Sequence, residues 1–171
     1  MSNTLFINCF PRITPFLSRE VESLGYKVNQ EDRMGVYVEG TYEDCYHLNY
    51  SLRTASKVLY EAASFNADTP DELYTQLKTI GWEDIIPSKG YISIGGFVRN
   101  DHIKDHRFAF MKTKDAIVDR MQEKTGSRPD SGPRHDKTVL FLRWHKQEVT
   151  ISIDTSGETL TRHGYRKMPG K

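Results

Sequence analysis

The stretch LFINCFPRITPFLSREVESLG, from Leu5 to Gly25, decides the fold of the first part of this chain. Leu5–Phe10 is a nearly continuous apolar run, which is typical of a buried strand. A proline, Pro11 or Pro15, then opens a helix whose apolar residues keep helical spacing, and Gly25 ends it. The stretch therefore predicts a strand followed by a helix.

The elements that follow this stretch complete a ferredoxin-like unit. Short strands are predicted at Tyr26–Asn29 and Gly35–Glu39, with a polar turn at Glu31–Arg33 between them. A helix at Tyr42–Arg53 precedes an extended segment at Val58–Phe65. The order βαββαβ is that of the ferredoxin-like fold, in which two helices pack on one face of a four-stranded antiparallel sheet. The sequence thus predicts an N-terminal domain over residues 1–66, and an α+β class.

The residues from 67 to 157 predict a second domain of mixed α and β structure. Its expected elements are a helix Pro70–Ile80 capped by Thr69, a strand Tyr91–Val98, a long helix Arg107–Lys124, and strands Lys137–His145 and Glu148–Thr155 joined by a tight turn. The adjacent Gly95 and Gly96 predict a bulge or a close backbone approach within the first of these strands.

The long helix is predicted to place one apolar stripe in the core. The stripe consists of Phe110, Met111, Ile117, Val118 and Met121, with the methylenes of Lys114 covering core beside them. After this helix, residues 126–136 are rich in Gly, Pro and Ser and hold Arg128, Arg134 and His135 without an apolar anchor. This composition predicts a mobile basic loop.

Composition excludes several classes of protein. A hydrophobic share of 37% with 27% charged residues is typical of a soluble globular chain. No stretch approaches the roughly 20 apolar residues of a membrane span, and the first residues lack the pattern of a signal peptide. We therefore expect a cytoplasmic location and no membrane partner.

The cysteines and histidines do not predict a metal site. Cys9 and Cys45 are too few for a disulfide framework and lack the paired spacing of zinc ligands, so both are predicted to be reduced packing residues. His102 and His106 are four residues apart, and His135 could approach them, but a structural zinc ion needs a fourth ligand. The pattern favours a chain without bound metal.

The net charge of +1 conceals an asymmetry between the two halves. Residues 1–98 contain eight Lys or Arg and thirteen Asp or Glu, whereas residues 99–171 contain sixteen and ten. A basic half beside an acidic one is expected when one face of a protein meets a polyanion. Chance drift of surface charge is the alternative explanation.

Several motifs in a fixed order resemble a known family. They are Phe16–Gly25, Val38–Gly40, Leu52–Ala55, Asp71–Tyr74, Lys112–Asp119, Ile153–Gly157, Leu160 and Gly164–Arg166. Their order and spacing are similar to the THUMP-containing N-terminal region of the bacterial 23S rRNA guanine-N2-methyltransferases. The chain departs from the family where Arg-Gly-Tyr-Arg is usual, since His163 precedes Gly164 and Arg162 lies one place earlier.

This resemblance implies a THUMP-type α/β domain with a twisted mixed sheet over residues 67–157. It also implies that residues 158–171 are a linker towards a C-terminal methyltransferase domain that this chain does not contain. The implied parent enzyme transfers a methyl group from S-adenosylmethionine to a guanine N2 of 23S rRNA. The chain has neither a Gly-rich strand-to-helix turn for that cofactor nor an Asn-Pro-Pro-Tyr-type motif. We therefore expect it to have no catalytic or cofactor-binding residues and to be catalytically silent alone.

The expected chemistry of the chain is RNA recognition. Side-chain cations at a helix start can hold phosphates together with the helix-terminal amides, and a tyrosine ring can stack on an unpaired base. The predicted RNA-contact residues are Arg99, Lys104, Arg107, Lys112, Lys114, Arg128, Arg134, Arg162, Tyr165, Arg166 and Lys167. For each lysine alone, a solvated helix face is the simpler interpretation, and Lys114 is the weakest candidate because its predicted position is half-buried.

Two alternative functions stay open at this point. THUMP domains also serve tRNA-modifying enzymes, so the parent could act on tRNA instead of 23S rRNA. A protein-interaction module that docks through its acidic N-terminal half, without binding RNA, is the alternative from another class.

Overall fold

The computed structural model describes residues 3–135, 137–157 and 160, and these divide into two compact units. The first unit contains residues 3–61 together with 154–157 and 160, and the second contains residues 62–153. Both units combine helices with strands, so the predicted α+β class is confirmed. None of the described helices is long and apolar enough to cross a membrane.

The first unit has the predicted βαββαβ order. Its elements are β1 (Asn3–Asn8), α1 (Thr14–Ser23), β2 (Val28–Asp32), β3 (Gly35–Gly40), α2 (Tyr42–Ser51) and the start of β4 (Lys57–Asn66). The strand order is β2-β3-β1-β4, and β1 is antiparallel to both of its neighbours. From Ala62 onward, β4 belongs to the second unit.

Apolar side chains of the strands and both helices form the core of the first unit. Leu5 and Ile7 of β1 are fully buried, and so are Leu17 and Val21 of α1 and Leu48 of α2. Residues two apart in a strand and four apart in a helix share a face, which is the spacing of these two pairs. The part of this core contributed by β1 and α1 therefore follows directly from the apolar pattern of Leu5–Gly25.

The two cysteines are part of this core. Cys9 and Cys45 are both buried and unpaired. Burial raises the pKa of the Cys45 thiol to about 11 and also raises the pKa of Cys9 above its ordinary value. Both side chains are therefore neutral thiols at physiological pH, and their predicted packing role is confirmed.

The β2–β3 turn lies at Arg33 and Met34, so the prediction of a turn at Glu31–Arg33 was wrong by about two residues. β2 continues to Asp32, which pairs with Gly35. The Asp32 carboxylate accepts a hydrogen bond from the Met34 N–H at 2.6 Å. Glu31 accepts one from the Ser18 hydroxyl at 2.5 Å. Polar residues form this strand because α1 and the turn satisfy their side chains.

The second unit contains a mixed sheet, as predicted. Its elements are α3 (Pro70–Thr79), a single 3-10 turn (Trp82–Asp84), β5 (Tyr91–Arg99), α4 (His106–Thr125), β6 (Asp130–Ser131), β7 (Thr138–His145) and β8 (Glu148–Asp154). The strand order is β8-β7-β5-β6, with β7 antiparallel to β8 and parallel to β5. The Thr69 hydroxyl accepts a hydrogen bond from the Glu72 N–H at 3.3 Å and so caps α3.

Two tryptophans anchor the core of the second unit. Trp82 and Trp144 are fully buried. The Trp82 indole N–H donates to the Leu77 carbonyl at 2.8 Å, and the Trp144 indole N–H donates to the Ala67 carbonyl at 3.0 Å. Both rings therefore bury a large apolar area without leaving a polar atom unsatisfied.

The buried stripe of α4 differs from the predicted one. Its buried residues are Ala109, Thr113, Ala116, Ile117, Val118 and Met121. Met111 is 47% exposed, whereas Lys114 is half-buried as predicted. Three of the six buried residues, Ala109, Thr113 and Ala116, are small and contribute little to an apolar pattern. The prediction of Ile117, Val118 and Met121 as core residues is confirmed, whereas that of Met111 was wrong.

The loop after α4, which the sequence predicts to be mobile, is attached to β5 over part of its length. Within it, β6 pairs with β5 in parallel through Tyr91 opposite Asp130 and Ile92 opposite Ser131. The Arg134 guanidinium lies 4.9 Å from the centroid of the Tyr91 ring, and its backbone N–H donates to the Tyr91 hydroxyl at 3.2 Å. Tyr91 thus supplies the aromatic contact that the loop sequence itself lacks.

Gly96 lies at a close backbone approach, and the pairing of β5 with β7 continues through it without a bulge. Its φ of 143° is rare for residues with a side chain, and a Cβ there would lie 1.9 Å from the Leu142 carbonyl oxygen. A Cβ on the neighbouring Gly95 would meet nothing within 4 Å. The close approach predicted from the sequence is confirmed at one of the two glycines.

Gly96→Ala is therefore expected to destabilise the chain by about 2–4 kcal/mol, since backbone strain and a backbone clash add. Gly95→Ala is the matched control and should change the free energy of unfolding by less than about 1 kcal/mol. Urea denaturation followed by circular dichroism measures both variants. Equal stability of the two would contradict this account of Gly96.

Candidate nucleic-acid interface

Accessible cations lie where β5 ends and α4 begins. Arg99 is the last residue of β5, Lys104 lies in the loop between the two elements, and Arg107 lies in the first turn of α4. All three are exposed. Neither Arg99 nor Lys104 forms an ion pair with any described residue. These two side chains are available to an anionic ligand.

Asn100 fixes the loop that carries Lys104. Its side-chain amide donates to the carbonyl oxygens of Asp68 at 3.0 Å and Lys146 at 2.7 Å, and its side-chain oxygen accepts from the His102 N–H at 2.8 Å. One buried side chain thus ties the loop to the residues before α3 and to the β7–β8 turn. The loop cations therefore project from a held backbone.

Asp105 and Arg107 form a closed pair at the start of α4. The Asp105 carboxylate caps the helix by accepting from the Arg107 N–H at 2.9 Å. Its two oxygens also accept hydrogen bonds from Nε of Arg107, Oδ1 at 3.1 Å and Oδ2 at 3.0 Å. Oδ2 lies 2.8 Å from Nη2 of the same guanidinium. Hydrogen bonds from Arg107 lower the pKa of Asp105, so the carboxylate stays ionised. Asp105 therefore partly neutralises the positive charge of Arg107, which weakens the attraction of Arg107 for an anion.

Lys112 faces α3. Its ammonium lies 3.0 Å from the Asp71 carboxylate and about 6 Å from two aromatic ring centroids, at 5.8 Å from Tyr74 and 5.9 Å from Phe108. The lysine side chain is 29% exposed. These contacts give Lys112 a structural role in joining two helices of the second unit.

Lys114 lies on a different side of α4. Its ammonium lies 3.1 Å from the Asp115 carboxylate, and its side chain lines a shallow groove beside Met111 and Phe110, opposite Ser131 and Gly132 of the following loop. Arg107, Met111 and Lys114 are spaced at four and three residues, so they share one stripe of the helix. The predicted helix cations thus divide into two sides instead of forming one cluster.

The remaining predicted contacts belong to the loop and the tail. Arg128 lies between α4 and β6 and forms no ion pair with a described residue. Arg134 stacks on Tyr91. Arg162, Tyr165, Arg166 and Lys167 lie outside the residues that the structure describes. For these four, the sequence prediction stands as made.

The sequence reasoning missed exposed apolar side chains next to the cations of α4. Phe108 and Met111 are both large and exposed, although a helix of this length was expected to bury such residues. The sequence signal that could have revealed them is the row of small residues Ala109, Thr113 and Ala116. When this row faces the core, Phe108, which precedes Ala109, is directed outward. Apolar rings between cations suit ligands that have both a charged and a flat apolar part.

Metal ligation has no support in the described part of the chain. Among residues 3–135, 137–157 and 160, no group of three or more His, Cys, Asp or Glu side chains could hold a metal ion. His102 lies in the loop and His106 is the first residue of α4, with its ring 5.4 Å from that of Phe110. The contact with Phe110 gives the His106 ring a packing role.

A ferredoxin-like unit followed by an α/β unit with a mixed sheet is the domain pair implied by the sequence resemblance, and family comparisons identify both parts. The RlmL ferredoxin-like domain matches residues 4–59, and the THUMP domain matches residues 67–154. The chain therefore belongs to the THUMP-domain family, in the form that also contains the RlmL ferredoxin-like domain. The predicted resemblance is confirmed.

Individual relatives agree with this assignment. The chain is 34% identical over 154 residues to the ribosomal RNA large subunit methyltransferase K/L of Syntrophotalea carbinolica, covering 90% of this chain and 22% of that protein. It is 31% identical over 170 residues to the Cellvibrio japonicus protein of the same name, covering 99% and 23%. The chain thus spans about a fifth of the length of these relatives.

A solved structure matches the whole chain. It is a Listeria monocytogenes protein described as a predicted N6-adenine-specific DNA methylase, with 30% identity and a TM-score of 0.86. The match covers 100% of this chain and 45% of that one.

Proposed function

We propose that this chain is the RNA-binding module of an RNA methyltransferase. The observation that carries the proposal is the THUMP match over residues 67–154, in a chain similar along almost its whole length to proteins named ribosomal RNA large subunit methyltransferases. The accessible Arg99 and Lys104 at one edge of the same domain are consistent with it.

The proposed parent enzyme methylates a guanine N2 of 23S rRNA in the cytoplasm, and this module positions the RNA for a C-terminal methyltransferase domain. S-adenosylmethionine would supply the methyl group. The described residues do not fit that cofactor, because Gly95 and Gly96 lie inside β5 opposite Phe141 and Leu142, and not at a strand-to-helix turn. The cofactor is therefore assigned to the parent's other domain.

The module would bind RNA through side chains more than through helix-terminal amides. Asp105 already occupies the Arg107 N–H at the start of α4, so that amide is not available to a phosphate. Arg99 and Lys104 have no acidic partner among the described residues and can pair with phosphates directly. Phosphate contacts give affinity without sequence information, so they orient the RNA and leave base selection to other contacts.

A DNA-binding module is the second candidate, since the similar Listeria protein is described as a DNA methylase. A tRNA-modifying parent and a protein-interaction module remain further alternatives. RNA is favoured because the relatives named for ribosomal RNA match 90% and 99% of this chain.

Fluorescence anisotropy with a labelled fragment of 23S rRNA, and with DNA of the same sequence, separates these candidates. We expect the chain to bind the RNA at least about tenfold more tightly than the DNA, a difference of about 1.4 kcal/mol, because 2′-hydroxyls and A-form shape distinguish the two. A labelled tRNA of similar length tests the tRNA alternative. Tighter binding to DNA, or binding to neither nucleic acid, would contradict the proposal.

A further inference from the structure

The first unit carries an aromatic and cationic surface that has no role in the function described so far. We propose that this surface, the Phe10–Met34 patch, is a second RNA site that stacks unpaired bases and holds the adjoining phosphates. The patch consists of Phe10, Arg12, Phe16, Arg19, Arg33 and Met34. The inference rests on the proposed RNA-binding function and adds a site in the ferredoxin-like unit to it.

Short backbone contacts bring the patch together. The Cys9 N–H donates to the Met34 carbonyl at 2.8 Å, which places Met34 beside Phe10. The Ile13 N–H donates to the Phe10 carbonyl at 3.1 Å, and the Phe16 N–H donates to the Ile13 carbonyl at 2.9 Å. Two consecutive turns thus connect Phe10 to Phe16. The Thr14 hydroxyl donates to the Asp32 carbonyl at 3.1 Å and brings the β2–β3 turn to the start of α1.

The apolar part of the patch is unusually open. Phe10 and Phe16 are each 61% exposed, and Met34 is 43% exposed. Most large apolar side chains of this unit are fully buried, so the pattern of the core does not explain these three. Exposed rings on neighbouring turns offer flat surfaces on which bases stack.

The cationic part of the patch consists of three arginines. Arg12, Arg19 and Arg33 are exposed, and none of them forms an ion pair with a described residue. Arg19 follows Phe16 by three residues and therefore lies on the same side of α1. Helix α1 also has no acidic residue in its first turn and no side-chain cap. The helix dipole therefore adds to the positive charge of the arginines.

Three acidic residues near the patch accept hydrogen bonds within the unit, and a fourth, Glu22, is exposed three residues after Arg19. Asp32 accepts from the Met34 N–H and from the Tyr37 hydroxyl at 3.1 Å. Glu31 accepts from Ser18, and Glu20 accepts from the backbone N–H groups of Arg53 at 2.9 Å and Thr54 at 3.0 Å. Arg12, Arg19 and Arg33 form no ion pair with these carboxylates or with any other described residue, so their guanidinium groups can pair with phosphates.

Arg12 adds backbone strain to this picture. Its φ is 74°, in the left-handed region that residues with a long side chain rarely adopt. Strain of this kind persists where the surrounding structure imposes it, and it is frequent at ligand sites. Glycine would relieve the strain and remove the charge, so one substitution separates stability from binding.

The test measures binding of the 171-residue chain to two labelled RNAs, a hairpin with an unpaired 3′ extension of uridines and the same hairpin with a blunt end. Phe10→Ala/Phe16→Ala should lower affinity for the extended RNA by about 10-fold or more and change affinity for the blunt hairpin by less than about 2-fold. The matched control is Tyr46→Ala/Tyr50→Ala on α2, whose rings are 64% and 88% exposed outside the patch. This control should leave both affinities unchanged.

Arg12→Gly distinguishes a role of Arg12 in RNA binding from a purely structural role. It should raise the midpoint of urea denaturation while it weakens binding of the extended RNA and lowers the slope of log affinity against log salt by about 0.7, the value for one lost single-strand contact. Loss of RNA affinity together with loss of stability would contradict the proposal.

The outcomes also separate this proposal from the proposed function. If the unmodified chain binds neither RNA, the proposed function and the patch proposal are both contradicted. If the unmodified chain binds RNA and removal of the two phenylalanines does not change the affinity, the patch proposal alone is overturned. The same holds if the tyrosine control loses as much affinity as the phenylalanine variant. A patch that serves a protein partner would likewise leave RNA affinity unchanged.

Discussion

Trp144→Ala is expected to destabilise the second unit by about 3–5 kcal/mol, the range for removing a large aromatic side chain from a core. Trp144 is fully buried between strands and helices of this unit, and its indole N–H satisfies the Ala67 carbonyl at 3.0 Å. The substitution leaves both a cavity and an unsatisfied carbonyl. Since many domains are stable by only about 5–15 kcal/mol, the loss should be visible as a large shift in urea midpoint.

Two further variants locate the source of this effect. Trp144→Phe keeps most of the ring volume but removes the donor to Ala67, so it should cost roughly 1–3 kcal/mol. Phe97→Ala removes an aromatic ring that is 51% exposed on the same sheet and should cost less than about 1 kcal/mol. If Trp144→Ala proved no more destabilising than Phe97→Ala, the assignment of Trp144 to the core would be wrong.

Arg99→Glu/Lys104→Glu is expected to weaken RNA binding by about 100-fold, equivalent to about 2.8 kcal/mol. Both side chains are exposed and unpaired among the described residues, so charge reversal should remove phosphate contacts without disturbing the fold. The slope of log affinity against log salt should fall by about 1.4–1.8 for two lost contacts. Anisotropy titrations at several salt concentrations measure both quantities.

Arg107 and Lys112, which are also predicted RNA-contact residues, are less suitable for this test because each is paired in the structure. Reversing Lys112 would replace the ammonium that lies 3.0 Å from the Asp71 carboxylate with a like charge, and reversing Arg107 would disturb the capping pair with Asp105. The matched control is Lys27→Glu/Lys89→Glu, which makes the same change of charge at two exposed positions outside both proposed surfaces. An equal loss of affinity in this control would mean that net charge, and not the Arg99 and Lys104 edge, determines binding.

Much of the fold could be predicted because its signals are local. The apolar spacing of Leu17 and Val21, the cap at Thr69 and the proline that follows it each act over a few residues, and each is found in the structure. The close backbone approach at Gly96 could be predicted for the same reason, since two adjacent glycines inside an apolar strand indicate a close approach of another backbone.

The features that escaped prediction depend on partners that are distant in sequence. Glu31 of β2 accepts a hydrogen bond from Ser18, 13 residues earlier in the chain, and Arg134 is held by Tyr91, 43 residues earlier. Lys112 looked like a free helix cation because its partner Asp71 is 41 residues away. The Phe10–Met34 patch was invisible for the same reason, since hydrogen bonds from α1 and β1 to the β2–β3 turn assemble it.

A salt titration of the unmodified chain tests its RNA binding most directly. Affinity should fall linearly on a plot of log affinity against log salt, with a slope of about −2 to −4.5 for three to five phosphate contacts. Binding that does not depend on salt, or no binding to any structured RNA at low salt, would contradict the claim that this chain is an RNA-binding module.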